Sequence, residues 1–340
     1  MRFGFHVSIQ GGLHRAPERA HELGCDCLQI FSGSPRSWDT KPLAAEEIRL
    51  FREGMSRYGL RPCVIHAPYL LNLSAEDGKL LKRSREALLA ELRRGELIGA
   101  DFVVVHMGSR KSNTECAALD LMARSVQWVL ERFGSTGGQT GARSAGSKPA
   151  AARPGSDAAG PGGADSVAAA QPGVTLLLEN TSGGGGKLGY CFRHLAAVLE
   201  MAEAAGRVGI CLDTAHLFQA GYKIHTRHGL RQAVREFTAC IGPEKLFLVH
   251  LNDSLTALGS AHDRHWHIGR GCIGRRGFKR ILRSSLFSPL PAIMETPKKA
   301  PEDDGFNLRT ARMLARPGPV MRMLKQITQF PCNKTAKNGL

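Results

Sequence analysis

Nine side chains of the kind that hold transition metals stand at the last position of an apolar, strand-like run or in the loop just after one. They are His66, His106, Glu179, Asp213, His216, His250, Asp263, His265 and Glu295. Taken singly, each has an ordinary reading. A histidine at a strand end is commonly a hydrogen-bonded core or loop residue, and Asp213 is well placed to cap a following helix. Taken together, five histidines, two aspartates and two glutamates at consecutive strand ends would set several buried carboxylates side by side. Without cations their repulsion would be severe, and divalent metal removes the conflict. Imidazole and carboxylate with no thiolate favour zinc or manganese over magnesium or calcium. The set is large enough for two or three ions if one carboxylate bridges. Ions about 3.5–4 Å apart suit phosphate-ester hydrolysis, because they supply hydroxide at neutral pH and stabilise attacking and leaving oxygens together.

What must position these groups is an array of parallel strands, whose C-terminal ends share one rim. Short β-rich runs near 2–7, 26–31, 62–66, 102–106, 174–179, 208–213, 246–251 and 291–295 alternate with longer helix-period stretches near 13–23, 44–57, 76–98, 112–133, 191–204, 229–240, 273–283 and 307–325. Wholly apolar runs such as Phe102–Val105 suit a sheet covered on both faces. Eight such units predict an α/β fold, an eight-stranded (β/α)8 barrel with the metal site at the C-terminal rim.

The chain has 340 residues, 42% of them apolar, enough for a buried core. Lys and Arg outnumber Asp and Glu by 46 to 30, a net charge of +16 that favours a polyanionic partner. The nine cysteines include no Cys-x-x-Cys pair and read as reduced thiols of a cytoplasmic protein. The first residues enter a strand and turn polar too soon for a signal peptide. No apolar run reaches the roughly 20 residues of a membrane span, so no membrane partner is expected.

One segment breaks the alternation. Of the 39 residues from Ser135 to Gly173, 29 are Gly, Ala, Ser or Pro, and Val167 is the only large aliphatic. Such a stretch cannot bury enough surface to offset its ordering entropy, which predicts a disordered insertion over 135–173. The barrel would then comprise 1–134 and 174–330, with a polar tail at 331–340. The insertion meets the fifth strand at its N-terminal end, opposite the proposed site, so its deletion is expected to leave activity intact.

The ordered motifs narrow the reading further. Gly4-Phe5-His6-Val7-Ser8, His66-Ala67-Pro68-Tyr69, Val105-His106-Met107-Gly108-Ser109, Glu179-Asn180-Thr181, Asp213-Thr214-Ala215-His216, His250-Leu251-Asn252-Asp253, Asp263-Arg264-His265 and Glu295-Thr296 together resemble the endonuclease IV family, zinc-dependent apurinic/apyrimidinic endonucleases on a xylose-isomerase-like barrel. The resemblance omits only the insertion and the tail. It implies three zinc ions: one on His66, His106 and Glu179; a second on Glu179 as bridge with Asp213, His250 and Glu295; a third on His216, Asp263 and His265. Glu179 and Glu295 would carry catalysis, and the Asn180 and Asn252 loops would support the ligands. The implied reaction cleaves duplex DNA on the 5′ side of an abasic site, and family members also clear blocked 3′ ends. A monomer is expected.

By the same resemblance, Arg36 and Tyr69 match positions whose side chains enter the DNA stack at the lesion, filling the space left by an extruded nucleotide. Trp38 reads as loop core. Three residues depart from the family pattern: Met107 where proline is frequent, Arg110 where histidine is common, and Arg270 where glutamate is usual. Gly183 to Gly186 is also a looser run than usual. An added arginine near DNA is expected to strengthen backbone binding. The alternative is a divalent-metal sugar isomerase or epimerase of the same barrel class, which manages with fewer histidines and one or two ions. A DNA-binding module without catalysis would not need so dense a ligand set.

Overall fold

The computed structural model describes residues 1–38, 41–136 and 173–316. The chain alternates β1 (Phe3–His6), α1 (Arg15–Glu22), β2 (Cys27–Ile30), α2 (Ala45–Arg57), β3 (Cys63–His66), α3 (Gly78–Ile98), β4 (Phe102–His106), α4 (Glu115–Thr136), β5 (Thr175–Glu179), α5 (Phe192–Ala202) and β6 (Val208–Asp213). It continues with α6 (Thr214–Gln219), α7 (Arg227–Cys240), β7 (Leu246–His250), β8 (Asp253–Ser254), β9 (His265–Trp266), α8 (Gly274–Ile281), β10 (Ala292–Met294) and α9 (Asp303–Ala315). Eight of the strands close a parallel barrel in the order β1, β10, β7, β6, β5, β4, β3, β2. The expected (β/α)8 architecture is what forms.

A short helix and a short strand pair were not foreseen. A six-residue helix, α6, follows β6 directly, and β8 pairs antiparallel with β9 through Asp253↔Trp266 and Ser254↔His265. Both are too short to leave a periodic signal. The helix expected at 307–325 begins instead at Asp303, and positions 317–325 lie outside the described residues. Most of the segment 135–173 does too, although α4 runs on through Ser135 and Thr136. The described cysteines are free thiols, and no helix among the described residues is long and apolar enough to cross a membrane.

Strand side chains alternate between faces, and here the alternation divides the barrel cleanly. One set packs outward against the helices, among them Phe5, Leu28, Ile65, Val103, Leu178, Leu212 and Val249. The other set, Cys27, Val64, Val104, Leu177, Cys211, Leu248 and Ile293, forms a separate buried plug inside the barrel. Gly4 takes the equivalent place on β1, where a Cβ would come within 1.9 Å of the Cys27 carbonyl oxygen. Two residues further along each strand, the next inward layer is His6, Gln29, His66, His106, Glu179, Asp213, His250 and Glu295. An apolar plug thus floors a polar cup to which all eight barrel strands contribute.

Candidate metal centre

Glu179 lies at the centre of the cup and is fully buried. Its Oε2 is 3.0 Å from His106 Nε2 and 3.3 Å from His66 Nε2, while its Oε1 is 2.9 Å from His250 Nδ1 and 3.5 Å from His216 Nδ1. Three ligand groups fall close enough to hold an ion: His66, His106 and Glu179; Glu179, Asp213, His250 and Glu295; and Asp213, His216 and His265. The first two match the sets expected from the sequence. In the third, Asp213 takes the place expected for Asp263. Asp263 nonetheless faces the same pair, its Oδ1 lying 3.1 Å from His216 Nε2 and 3.5 Å from His265 Nε2. All nine expected residues converge.

The orientation of the imidazoles argues for metal beyond proximity. His66 Nδ1 donates to the Ala67 carbonyl at 2.7 Å and His216 Nδ1 to the Asn180 carbonyl at 2.9 Å. A carbonyl can only accept, so each ring carries its proton on that nitrogen and turns the other nitrogen into the cup. Among the described residues His216 Nε2 and His265 Nε2 are buried there with no well-aligned hydrogen bond, although the Asp263 carboxylate lies near both. Buried nitrogens left in this state, each oriented by an outward hydrogen bond, are what metal ligation requires.

Asparagines hold the carboxylates. Asn252 Nδ2 donates to Asp213 Oδ2 at 2.6 Å, and its Oδ1 accepts the Glu295 backbone N–H at 2.8 Å. Asn180 Oδ1 accepts the Asp213 backbone N–H at 2.7 Å. Asp213 also caps α6, accepting the His216 N–H on Oδ1 at 2.8 Å, so capping and cage-building are one arrangement.

Gln29 carries chemistry that the sequence reading passed over. Its Nε2 donates to Glu295 Oε1 at 2.6 Å; the carboxylate can only accept, which fixes the amide's orientation and leaves Oε1 to accept from His250 Nε2 at 2.9 Å. His250 therefore presents Nδ1 to Glu179 and, at 3.5 Å, to Glu295. His6 Nδ1 lies 3.1 Å from Gln29 Nε2, and burial holds this histidine below its usual pKa, as a neutral imidazole. The missing signal was the strand period: Gln29 and His6 stand two residues beyond Cys27 and Gly4, in the same layer as the ligands. Gln29→Leu is expected to lower metal affinity about 10–100-fold, the usual cost of losing an outer-shell partner, with the fold intact. Chelator competition measures this, and wild-type affinity in the variant would refute the assignment.

The electrostatics of the cup are those of carboxylates held ionised by imidazolium. Burial alone would raise Glu179 and Glu295, but the neighbouring histidines outweigh it and hold both well below the carboxylate range. Burial alone would lower His216 and His250; Asp213, Asp263 and Glu179 around the first, and Glu295 and Glu179 around the second, place both well above the ordinary imidazole value. Cys211 also touches His250, but burial pushes its thiol up to about 12, so it is neutral at pH 7. On the side chains alone, protons balance the carboxylates. A divalent cation would displace them.

Around the cup, Tyr69 is 62% exposed, with its ring 5.4 Å from His66 and 6.0 Å from His106, and Arg36 is exposed on the β2–α2 loop. Trp38 is half-buried beneath the Arg83 guanidinium, 4.6 Å away, in keeping with loop core. The glycine run has a structural reason. A Cβ on Gly184 would come within 2.1 Å of the Ala261 carbonyl oxygen, so glycine lets this loop approach the one carrying Asp263, where Lys187 Nζ meets Asp263 Oδ2 at 3.2 Å. Met107 is buried against Gly189. Arg110 donates to the Asn113 carbonyl at 3.0 Å. Arg270 remains exposed, its guanidinium 3.8 Å over the Phe306 ring.

Comparison with known proteins agrees with this geometry. The family model described as a xylose isomerase-like TIM barrel matches residues 17–311. The chain is 38% identical over 315 residues to the probable endonuclease 4 of Oleidesulfovibrio alaskensis, covering 92% of this chain and 95% of that protein. Among solved structures, endonuclease IV from Thermus thermophilus superposes with a TM-score of 0.73 at 32% identity, over 92% of this chain and 98% of the other. A D-tagatose 3-epimerase-like protein superposes with a TM-score of 0.62 at 18% identity, over 96% of this chain and all of the other, a likeness of fold alone. With the nine candidate ligands converging as they do and the match spanning nearly the whole chain, this protein belongs to the endonuclease IV family.

Proposed function

We propose that this chain hydrolyses the phosphodiester bond on the 5′ side of abasic sites in duplex DNA, leaving a 3′-hydroxyl and a 5′ deoxyribose phosphate, and that it also clears blocked 3′ ends. The observation that carries the reading is the pair of Glu179 oxygens, each facing two histidines, which makes one buried carboxylate common to two ligand groups. His66, His106 and Glu179 would hold one zinc, Glu179, Asp213, His250 and Glu295 a second, and His216, Asp263 and His265 a third, with Asp213 also in reach of the last. Bound there, the ions supply a nucleophile at neutral pH and counter the charge gathering on the phosphate and leaving oxygen. The chain's own part is positional. Glu179 and Glu295 are ionised ligands, Asn180, Asn252 and Gln29 orient them, and the apolar plug closes the cup to water from below.

Tyr69 and Arg36 are proposed to read the lesion, on loops following adjacent strands β2 and β3 at one side of the rim. Unstacking a base step costs a few kcal/mol and least where a base is missing, so side chains that fill the gap select damaged sites. Tyr69→Ala is expected to weaken binding to an abasic duplex by about 10-fold or more, on the scale of one lost stacking contact, while zinc content stays at the wild-type level. Loss of zinc in that variant would show that Tyr69 supports the cage instead.

A sugar isomerase or epimerase reading requires fewer ligands than converge here, and His216, Asp263 and His265 set the two apart. We further propose that the protein acts as a cytoplasmic monomer, with residues 1–134 and 174–330 forming the catalytic barrel, 135–173 a disordered insertion and 331–340 a tail. The deciding experiment incubates the purified chain with a duplex bearing one abasic site, with and without chelator. Incision on the 5′ side, abolished by chelator and restored by zinc, is the expected result. Persistent failure to cut with zinc restored would overturn the reading.

A further inference from the structure

On one side of this barrel several helical cations have carboxylate partners on their own helix. Arg49 on α2 pairs with Glu46 at 2.6 Å and Glu53 at 2.6 Å, Lys82 on α3 lies 3.9 Å from Glu86, and Arg124 on α4 is 3.0 Å from Asp120. Helices α7 and α8 are different. On α7, Arg227, Arg231 and Arg235 recur every fourth residue on one exposed stripe, and the only acid in the helix, Glu236, accepts a hydrogen bond from the Tyr222 hydroxyl at 3.0 Å. On α8, Arg275, Arg276, Lys279 and Arg280 occupy the exposed face while Gly277, Phe278 and Ile281 are buried, and the helix contains no acid. Among the described residues none of these seven cations is in an ion pair.

The two stripes belong to one surface. Arg280 Nη1 donates to the His225 carbonyl at 3.0 Å, and a Cβ on Gly277 would meet His225 Cα at 3.1 Å, so α8 packs directly on the turn that leads into α7. Both helices follow barrel strands, which puts their N-terminal ends at the rim that bears the cup. From there α7, with its 14 residues, runs about 20 Å down the outer wall. In the barrel order β6 and β7 stand opposite β2 and β3, so this basic wall and the loops of Arg36 and Tyr69 lie on opposite sides of the cup.

We propose that the α7–α8 wall is a second DNA-contacting surface, which holds undamaged duplex by its phosphates independently of the lesion-reading rim. The proposal rests on the nuclease reading only in taking the polyanion to be DNA. A duplex held along the wall would have one end at the rim over β6 and β7, across the cup from the Arg36 and Tyr69 loops. A 20 Å stretch of duplex carries about 12 phosphates, about half of them on one side, which matches the number of cations offered. Contacts of this kind carry no sequence information and suit a protein that must hold intact DNA before a lesion is met.

The test compares two triple variants of the full chain with equal loss of charge. One removes wall cations (Arg231→Gln, Arg276→Gln, Lys279→Gln); the other removes exposed cations from the α2–α3 side (Arg57→Gln, Lys79→Gln, Lys82→Gln). Affinity for an undamaged duplex of about 30 base pairs is measured as a function of salt, with zinc content and thermal melting confirming the fold. Each lost phosphate contact removes about 0.9 from the slope of log affinity against log salt, so the wall variant should lose about 2 to 3 and the control less than 1. Should the wall triple melt early, Arg227→Gln with Arg235→Gln on α7 alone should lose about 1 to 2. Equal slopes in the wall and control variants would overturn the proposal. If the wild-type chain incises an abasic duplex but the slopes are equal, the wall alone is refuted; if the slopes differ but no incision occurs, the nuclease reading falls and the wall stands.

Discussion

Replacing Glu179 by glutamine is expected to reduce turnover by on the order of 10³-fold or more, about 4 kcal/mol of barrier, while binding to abasic DNA survives. The substitution keeps the side chain's shape and one carbonyl oxygen but removes the charge shared by two ligand groups. His66, His106, His250 and His216 then surround a neutral amide, whose nitrogen cannot serve as a ligand and whose N–H groups must face imidazoles. Tyr69 and Arg36, the proposed lesion readers, stand on other loops, so on this reading lesion binding should survive and the loss should appear in kcat with little change in KM. Metal analysis of the variant should show fewer ions per chain. Wild-type turnover would contradict the role given to Glu179, and weakened DNA binding with full zinc content would point to a direct contact with the substrate.

Zinc loading is expected to raise the melting temperature by about 10 °C when zinc is about 1,000 times its dissociation constant. At that ratio one site adds about 4 kcal/mol, and each kcal/mol is worth about 2–4 °C in a domain of a few hundred residues. The effect should grow with pH. In the metal-free protein His216 and His250 lie well above their ordinary value, so the stability they contribute is fully present below about pH 6.5 and is lost as pH rises through their folded values. Glu179 and Glu295 are depressed, so their contribution is present above the usual carboxylate range and is lost as pH falls through their folded values. Zinc displaces the imidazole protons, and their release is easier at higher pH. Calorimetric scans at pH 6 and pH 8, with and without zinc, check both claims; a shift independent of pH would mean that the metal is not bound by these histidines.

The strand ends were the legible part of this sequence. An apolar run closed by His, Glu or Asp has one reading as a barrel strand, and eight such runs at similar spacing leave little freedom in the topology. His66, His106, Glu179, Asp213, His250 and Glu295 could be named because each closes its run, and His216, Asp263 and His265 because they stand in the loops beyond; the endonuclease IV motifs then implied how the nine divide among ions. Gln29 went unnamed, and His6 entered only as part of a motif with no role of its own, for a physical reason. A glutamine or histidine within an apolar strand carries no mark of its role until the register of neighbouring strands shows that it shares a layer with the ligands. The same is true of α6 and the β8–β9 pair, whose few residues are held by the cage and its loops instead of by a repeating apolar face. The pairing of Asp213 with His216 and His265 was also beyond sequence, since it depends on which Asp213 oxygen the helix cap leaves free.

The basic excess was legible as a number and not as a place. A net charge of +16 suggested a polyanion, but only the fold sorts paired arginines on α2 and α4 from the unpaired stripes on α7 and α8. Arg270 illustrates the same limit: its guanidinium lies 3.8 Å over the Phe306 ring, a contact the sequence does not announce.

The most direct test of the account is a crystal of the zinc-loaded protein with diffraction recorded on either side of the zinc absorption edge. Three anomalous peaks are predicted in the cup, two of them sharing Glu179 and the third between His216, His265 and the aspartates. A single peak, or zinc bound away from Glu179, would contradict the multinuclear cage and the hydrolytic chemistry built on it.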